Sequence, residues 1–188
     1  MGRRRNRVEG STRIIEGQDV KDSPIISKAK MLAGKAHEGQ FRKYTGMPYI
    51  VHPIEVATIV QTVEHTDEMV AAALLHDVVE DTDYTVADIA KEVSPKVAEL
   101  VDGLTDVSKP EDGNRAVRKA MDKDHLAEQN AEVHTIKLAD VISNSQDIKV
   151  NDPKFAKVYI AEMKALLPVL DKGDKILFEK AKEIVFSD

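Results

Sequence analysis

Cysteine and tryptophan are absent from the 188 residues, and aromatic side chains make up only 4% of them. Without thiols there is no disulfide staple, no thiolate nucleophile and no sulfur ligand, so any metal must be held by His, Asp or Glu. The same lack fits a reducing cytoplasm. So few aromatics argue against a platform on which nucleic-acid bases could stack. A net charge of −6 has the wrong sign for a whole-domain nucleic-acid binder. It still permits a phosphate substrate, because a divalent metal and a few local cations can set the local potential. No run of about 18 apolar residues occurs, so no membrane span is expected. The basic start, MGRRRNRVEG, has no apolar stretch after it, and neither a signal peptide nor a membrane anchor is expected there. Residues 1–20 read as a basic, disordered tail and residues 21–188 as a single domain with a sizeable core. Oligomeric state is left open.

What the chain has in abundance is helical periodicity. Its 42% hydrophobic and 32% charged residues are an ordinary globular balance. Ile25, Ala29, Leu32, Ala33 and Ala36 recur at helical spacing, predicting a helix over 25–37 that Gly39 stops. The next stretch, to residue 53, mixes Gly, Pro, charge and aromatics, and is either a surface connection or a binding loop. Pro53 fits the first turn of a helix over 54–63. Thr66, with Asp67 competing, caps a helix over 68–80 whose AAALLH segment is too apolar to face water. Thr85 with Asp88, Ser94-Pro95, Asp152-Pro153 and Asp174 mark further helix starts. KPEDGNR reads as a loop, with helices over 116–128 and 132–147 after it. The expectation is an all-α bundle of seven or eight helices, with no repeat and no linker to a second domain.

LLHDVVED, at residues 74–81, carries the most chemistry. Adjacent residues on a helix differ by about 100° in azimuth, so His76 and Asp77 could both reach one ion over the helix edge. Glu80 and Asp81 lie about one turn further on. An ordinary helix end with a capping histidine and a solvated acidic patch is the competing reading. Two distant residues weigh against it. His52 stands in YIVHP, directly before a helix, and Asp140 stands in the apolar IKLADVISN segment. A buried carboxylate is costly unless paired or metal-bound. Two imidazoles and two carboxylates make a coherent site for Mn, Fe, Zn or a similar divalent ion.

In order, the chain contains HEGQFRKYTGMPYIVHP, LLHDVVEDTD, ELVDGLTDVSK and IKLADVISN. With these segments it resembles the HD superfamily of metal-dependent phosphohydrolases, and within it the alarmone hydrolase domains of the Rel and SpoT type and the small stand-alone alarmone hydrolases. The resemblance spans roughly residues 29–148. It implies that His52, His76, Asp77 and Asp140 are metal ligands, with manganese the common ion, and that Glu80 and Asp81 position and activate water. It implies that Arg42 and Lys43 lie near the nucleotide and its phosphates, and that Asn144 contacts its sugar-phosphate side. The implied reaction removes pyrophosphate from the 3′ position of guanosine 3′,5′-bis(diphosphate). A hydrolase domain without the synthetase and regulatory domains of the long relatives is expected.

The chain also departs from that pattern. The family usually reads KLADRLHN, so Val141 replaces an arginine and Ser143 a histidine. Asp106 stands where lysine is frequent, and Glu132 near a common arginine. Those positive groups are expected to be missing around the site. That leaves open a less charged nucleotide, such as a nucleoside monophosphate or a reduced nicotinamide dinucleotide phosphate, and a catalytically silent nucleotide sensor or scaffold.

Overall fold

The computed structural model of the protein describes residues 23–187, and the basic tail expected at 1–20 lies outside them. Among the described residues the architecture is entirely helical, apart from one isolated antiparallel bridge between Phe41 and Pro48. The helices are α1 (Pro24–Ala36), α2 (Val51–Val60), α3 (Asp67–Leu75), α4 (Val78–Asp81), α5 (Val86–Glu92), α6 (Pro95–Leu104), α7 (Arg115–Glu128), α8 (Ala131–Asn151), α9 (Pro153–Leu166) and α10 (Lys175–Phe186). Short 3₁₀ turns occupy Pro110–Asp112, inside the expected loop, and Leu167–Val169, where Pro168 ends the α-helical ladder of α9.

Most helix starts follow the caps expected from the sequence. Thr66 accepts a hydrogen bond from the Met69 N–H, Ser94 from Val97, Asp152 from Phe155, and Asp174 from Ile176 and Leu177. Thr85 and Asp88 form a reciprocal capping box, with the aspartate in the place usually held by glutamate. α2 starts earlier than expected, at Val51. Pro53 still sits within its first turn, where a missing N–H costs nothing.

The helix expected over 68–80 is two helices, α3 and α4, interrupted at His76 and Asp77. The His76 ring Nδ1 lies 2.8 Å from the Ala73 carbonyl oxygen, which otherwise would be an orphan at the helix end. A side chain thus meets the last turn of α3 at His76, beside Asp77.

α3 is the pivot of the packing. Every residue from Met69 to Leu75 is buried, and the helix contacts α1, α2, α6 and α8. α8, at 21 residues, is the other central element and packs against α2, α3, α6, α9 and α10. α2 lies against both. The end of α3, the first turn of α2 and the middle of α8 therefore meet inside the bundle.

Gly173 sets how closely the segment before α10 approaches α8. A Cβ there would stand 2.6 Å from Leu138 Cδ1 and 3.1 Å from the His134 backbone carbonyl carbon. Both neighbours are buried. Gly173→Ala is expected to cost about 1–3 kcal/mol through overpacking. Urea unfolding should show a lower midpoint at unchanged native helicity, and an unaltered midpoint would mean that this turn moves away freely.

Candidate metal centre

Three elements bring four ligand atoms together. His52 comes from the first turn of α2, His76 and Asp77 from the break between α3 and α4, and Asp140 from the middle of α8. His52 Nε2 is 3.3 Å from Asp140 Oδ1 and 3.6 Å from Asp77 Oδ2. His76 Nε2 is 3.1 Å from Asp77 Oδ2 and 3.6 Å from Asp140 Oδ1. His52, His76 and Asp140 are buried and offer ligand atoms within 4.8 Å of one another. Asp77 closes the group from a half-buried position.

The hydrogen inventory shows that this cluster suits a cation. A carbonyl can only accept, so His76 Nδ1 must carry the proton in its bond to Ala73, and neutral His76 presents a lone pair at Nε2. That Nε2 is buried and has no hydrogen-bond partner. His52 Nδ1 is likewise engaged, 3.1 Å from Ser143 Oγ. Two imidazole lone pairs and two carboxylate oxygens then face one point, four acceptors with no donor among them. Nitrogen and oxygen donors in this mixture fit a divalent transition ion.

The surroundings hold the carboxylates in place. Tyr49 donates to Asp77 Oδ2 at 2.7 Å, and Asn144 donates to Asp140 Oδ1 at 2.6 Å. Lys137, one turn before Asp140, reaches its other oxygen at 2.9 Å. Burial disfavours ionised Asp140, but Lys137 and the two histidines prevail and hold its carboxyl well below the usual range. Asp77 is likewise lowered against burial, chiefly by His76. Burial also opposes charge on His76, yet Asp77 and Asp140 lift its pKa well above the ordinary histidine value.

A cavity of about 910 Å³ opens from the cluster between α6, α7, α8 and α9. Glu80 lines it and accepts the Asp106 backbone N–H at 2.8 Å. Glu80 keeps contact with solvent, yet desolvation by the cavity wall, helped by the Asp106 carboxylate, pushes its pKa up to about 7. Asn144 lines the same cavity, whereas Asp81, Arg42 and Lys43 do not. Asp81 is raised by burial and by Asp77. Arg42 pairs with Asp147 at 2.6 Å, and Lys43 lies over the ring of Tyr44.

Of the four departures from the usual pattern, only Asp106 lines the cavity. Val141 is in the core, Ser143 is buried against His52, and Glu132 pairs with Lys96 on α6, outside the lining. Asp106 pairs with Lys119 at 2.7 Å. Lysines and an arginine from α7, α8 and α9 also line the cavity, beside six carboxylates. Sequence reading missed Tyr49, Lys137 and the α7 lysines. Lys137 could have been found from its three-residue spacing to Asp140, but which face of α7 meets the cavity is set by packing alone.

A family profile described as HD domain matches residues 29–166. The guanosine-3′,5′-bis(diphosphate) 3′-pyrophosphohydrolase of Haemophilus influenzae is 51% identical over 79 residues, 42% of this chain and 12% of that protein. The bifunctional (p)ppGpp synthase/hydrolase SpoT of Escherichia coli K12 is 39% identical over 126 residues, 65% of this chain and 18% of that protein. The chain thus spans less than a fifth of the length of either. A solved structure of a metazoan ortholog of SpoT, described as hydrolysing ppGpp, superposes with a TM-score of 0.77 at 32% identity, covering 86% of this chain and 94% of that one.

The raised His76 pKa gives metal uptake a definite pH dependence. A divalent ion must displace the proton that Asp77 and Asp140 favour, so affinity should weaken as pH falls, by up to about tenfold per unit for each proton displaced. Calorimetric titration of Mn²⁺ in buffers of different ionisation enthalpy counts the released protons. Binding without proton release between about pH 6 and 8 would contradict this electrostatic picture.

Proposed function

Because the chain belongs to the HD-domain family, we propose that it is a metal-dependent phosphohydrolase that cleaves guanosine 3′,5′-bis(diphosphate) to GDP and pyrophosphate. The observation that carries this reading is the cluster of four acceptors at the mouth of a cavity lined by cations and carboxylates, with an elevated carboxyl, Glu80, beside it. The names of the relatives and of the superposing structure support the same substrate.

His52, His76, Asp77 and Asp140 hold the ion in this reading, and manganese suits the nitrogen and oxygen donors. A bound divalent ion would supply Lewis acidity at the reacting phosphate and lower the pKa of water. Glu80 takes a proton from the attacking water. The water oxygen bonds to the phosphorus attached at O3′, the P–O3′ bond breaks, and Glu80 can return the proton to the departing 3′ oxygen. Its pKa of about 7 is matched to taking and giving a proton near neutrality. The Asp106 N–H occupies only one of its oxygens. Asp81 supports the water site from the same short helix.

Lys119, Lys123 and Lys157 line the cavity, and the latter two have no ion-pair partner among the described residues. They give an anionic substrate somewhere to place its phosphates. A second track runs along α8. Asp140, Asn144 and Asp147 follow at helical spacing, and Arg42 is bound to the last of them. Seven residues of helix span about 10 Å, a nucleotide's length. Asn144 is proposed to meet the sugar-phosphate side, and Arg42 and Lys43 the remainder of the nucleotide.

Two variants separate holding the ion from moving the proton. Asp77→Ala removes a charged ligand, so bound Mn²⁺ and turnover should both collapse. Glu80→Gln keeps the shape but removes the base, so metal should persist while kcat falls by ~10²–10⁴-fold with little change in KM. Metal analysis and pyrophosphate release from ppGpp test both. A Glu80→Gln protein without metal would make Glu80 a ligand and overturn its assignment. Tight ppGpp binding without turnover by the wild type would identify a sensor instead.

The wild-type rate should also have an acidic limb. A general base works only when deprotonated, so kcat should rise with pH through the Glu80 pKa, which bound Mn²⁺ draws below its metal-free value of about 7, and then level off. Steady-state rates at saturating Mn²⁺ from about pH 5.5 to 8.5 check this. A flat profile would remove Glu80 from the proton transfer.

A further inference from the structure

We propose that Glu55, acting through Ser143, is a positioning device for the metal ligand His52, setting its tautomer and the direction of its free lone pair. The proposal rests on the metal centre described above and concerns residues that would not touch the ion.

The chain of contacts is short and its direction is determined. Ser143 Oγ is 2.9 Å from Glu55 Oε2 and 3.1 Å from His52 Nδ1. A carboxylate accepts, so the single hydroxyl proton of Ser143 goes to Glu55. The lone pairs left on Ser143 Oγ can then only accept, and they take the Nδ1–H of His52. His52 is thereby held with its proton on Nδ1 and its Nε2 lone pair aimed at the oxygens of Asp77 and Asp140.

The two helices contribute in the same way. On α2, Glu55 follows the ligand His52 by three residues, and on α8, Ser143 follows the ligand Asp140 by three residues. Residues three apart share a helix face. Each helix thus supplies one ligand and one member of the relay, and the relay bridges α2 and α8 beside the ligands. Its outer end is unusual for an exposed side chain. Glu55 has no ion-pair partner among the described residues, and its hydrogen bond goes inward to a serine that is 1% exposed.

The other imidazole is held differently. His76 Nδ1 donates to the Ala73 backbone carbonyl, a neutral dipole that no side-chain substitution removes. His52 alone is backed by a carboxylate, one hydroxyl away. Such outer partners fix ring orientation and raise ligand basicity, and their loss typically costs ~10–100-fold in metal affinity. Position 143 therefore has a specific task. A serine there is short enough to fit between two helices and can accept from one side while donating to the other.

The test measures metal affinity without reference to any nucleotide. Metal-free wild type, Glu55→Ala, Glu55→Gln and Ser143→Ala proteins are titrated with Mn²⁺ by calorimetry, and the melting temperature of each is taken in chelator. Ser143→Ala and Glu55→Ala should each weaken the Kd by ~10–100-fold. Glu55→Gln retains an acceptor but loses the charge, so it should recover part of that loss. Glu55 is exposed, and the melting temperature of its variants in chelator should match the wild type, which separates positioning from a general structural role. Should Ser143→Ala fail to fold, the two Glu55 variants decide alone. A wild-type Kd in Glu55→Ala, with the wild type binding Mn²⁺ normally, overturns the relay and leaves the metal centre standing. Failure of the wild type itself to take up Mn²⁺, Zn²⁺ or Fe²⁺ overturns the metal centre and the relay together.

Discussion

The organisation of this protein turns on a group of buried acceptors that cannot satisfy one another. Two imidazole nitrogens and two carboxylate oxygens converge, with both Nδ1 protons already committed elsewhere. Buried polar groups without complementary partners are expensive, and burying like-signed oxygens together more so. A cation resolves the conflict at once. Without one, the carboxylates draw a proton onto His76, which is why its pKa is raised although burial opposes the charge. Lys137 meets the remaining oxygen of Asp140 and lowers the cost of keeping that carboxylate ionised inside the bundle.

Such a group needs a rigid frame, and the apolar helices provide it. α3 buries every residue from Met69 to Leu75, so its end cannot shift without opening the core. α8 is buried along most of its length, and Asp140, Ser143 and Asn144 sit near its middle, among buried apolar neighbours. The break after α3 is part of the same design. By taking the Ala73 carbonyl, His76 ends the helix and fixes its own ring in one step.

The cavity wall is built on a different principle. α7 buries only Asp122 and Leu126 and is tied down by polar contacts. Asp122 accepts from the Ser108 N–H and hydroxyl, and Arg115 forms a two-pronged bond with Glu162 on α9. The Ser108 loop in turn carries the Asp106 N–H that holds Glu80. The Glu80 carboxyl is thus steadied by a hydrogen-bonded loop, while the His/Asp cluster is steadied by packed helices. Segments with few buried apolar contacts open at lower free energy than a core.

Much of this was legible in the residues. Capping residues marked the starts of α3, α5, α6, α9 and α10, because the hydrogen bonds of a helix end are local chemistry. The apolar AAALLH segment announced the central helix, and the order of the four motifs pointed to His52, His76, Asp77 and Asp140, where the fold brings each histidine within 3.6 Å of both aspartates. What spacing could not reveal is everything that depends on which surfaces meet. The interruption at His76 comes from a ring reaching its own backbone. Val141 and Glu132 lie in the core and against α6, away from the cavity, whose cations come from α7, α8 and α9. Ser143 read as a loss and turned out to join Glu55 to His52 across two helices. Residue type and periodicity determine local helix ends and the ligand inventory, since both are encoded within a few residues. Only the packing of α2, α3, α7, α8 and α9 decides which distant side chains share a proton, a charge or a cavity.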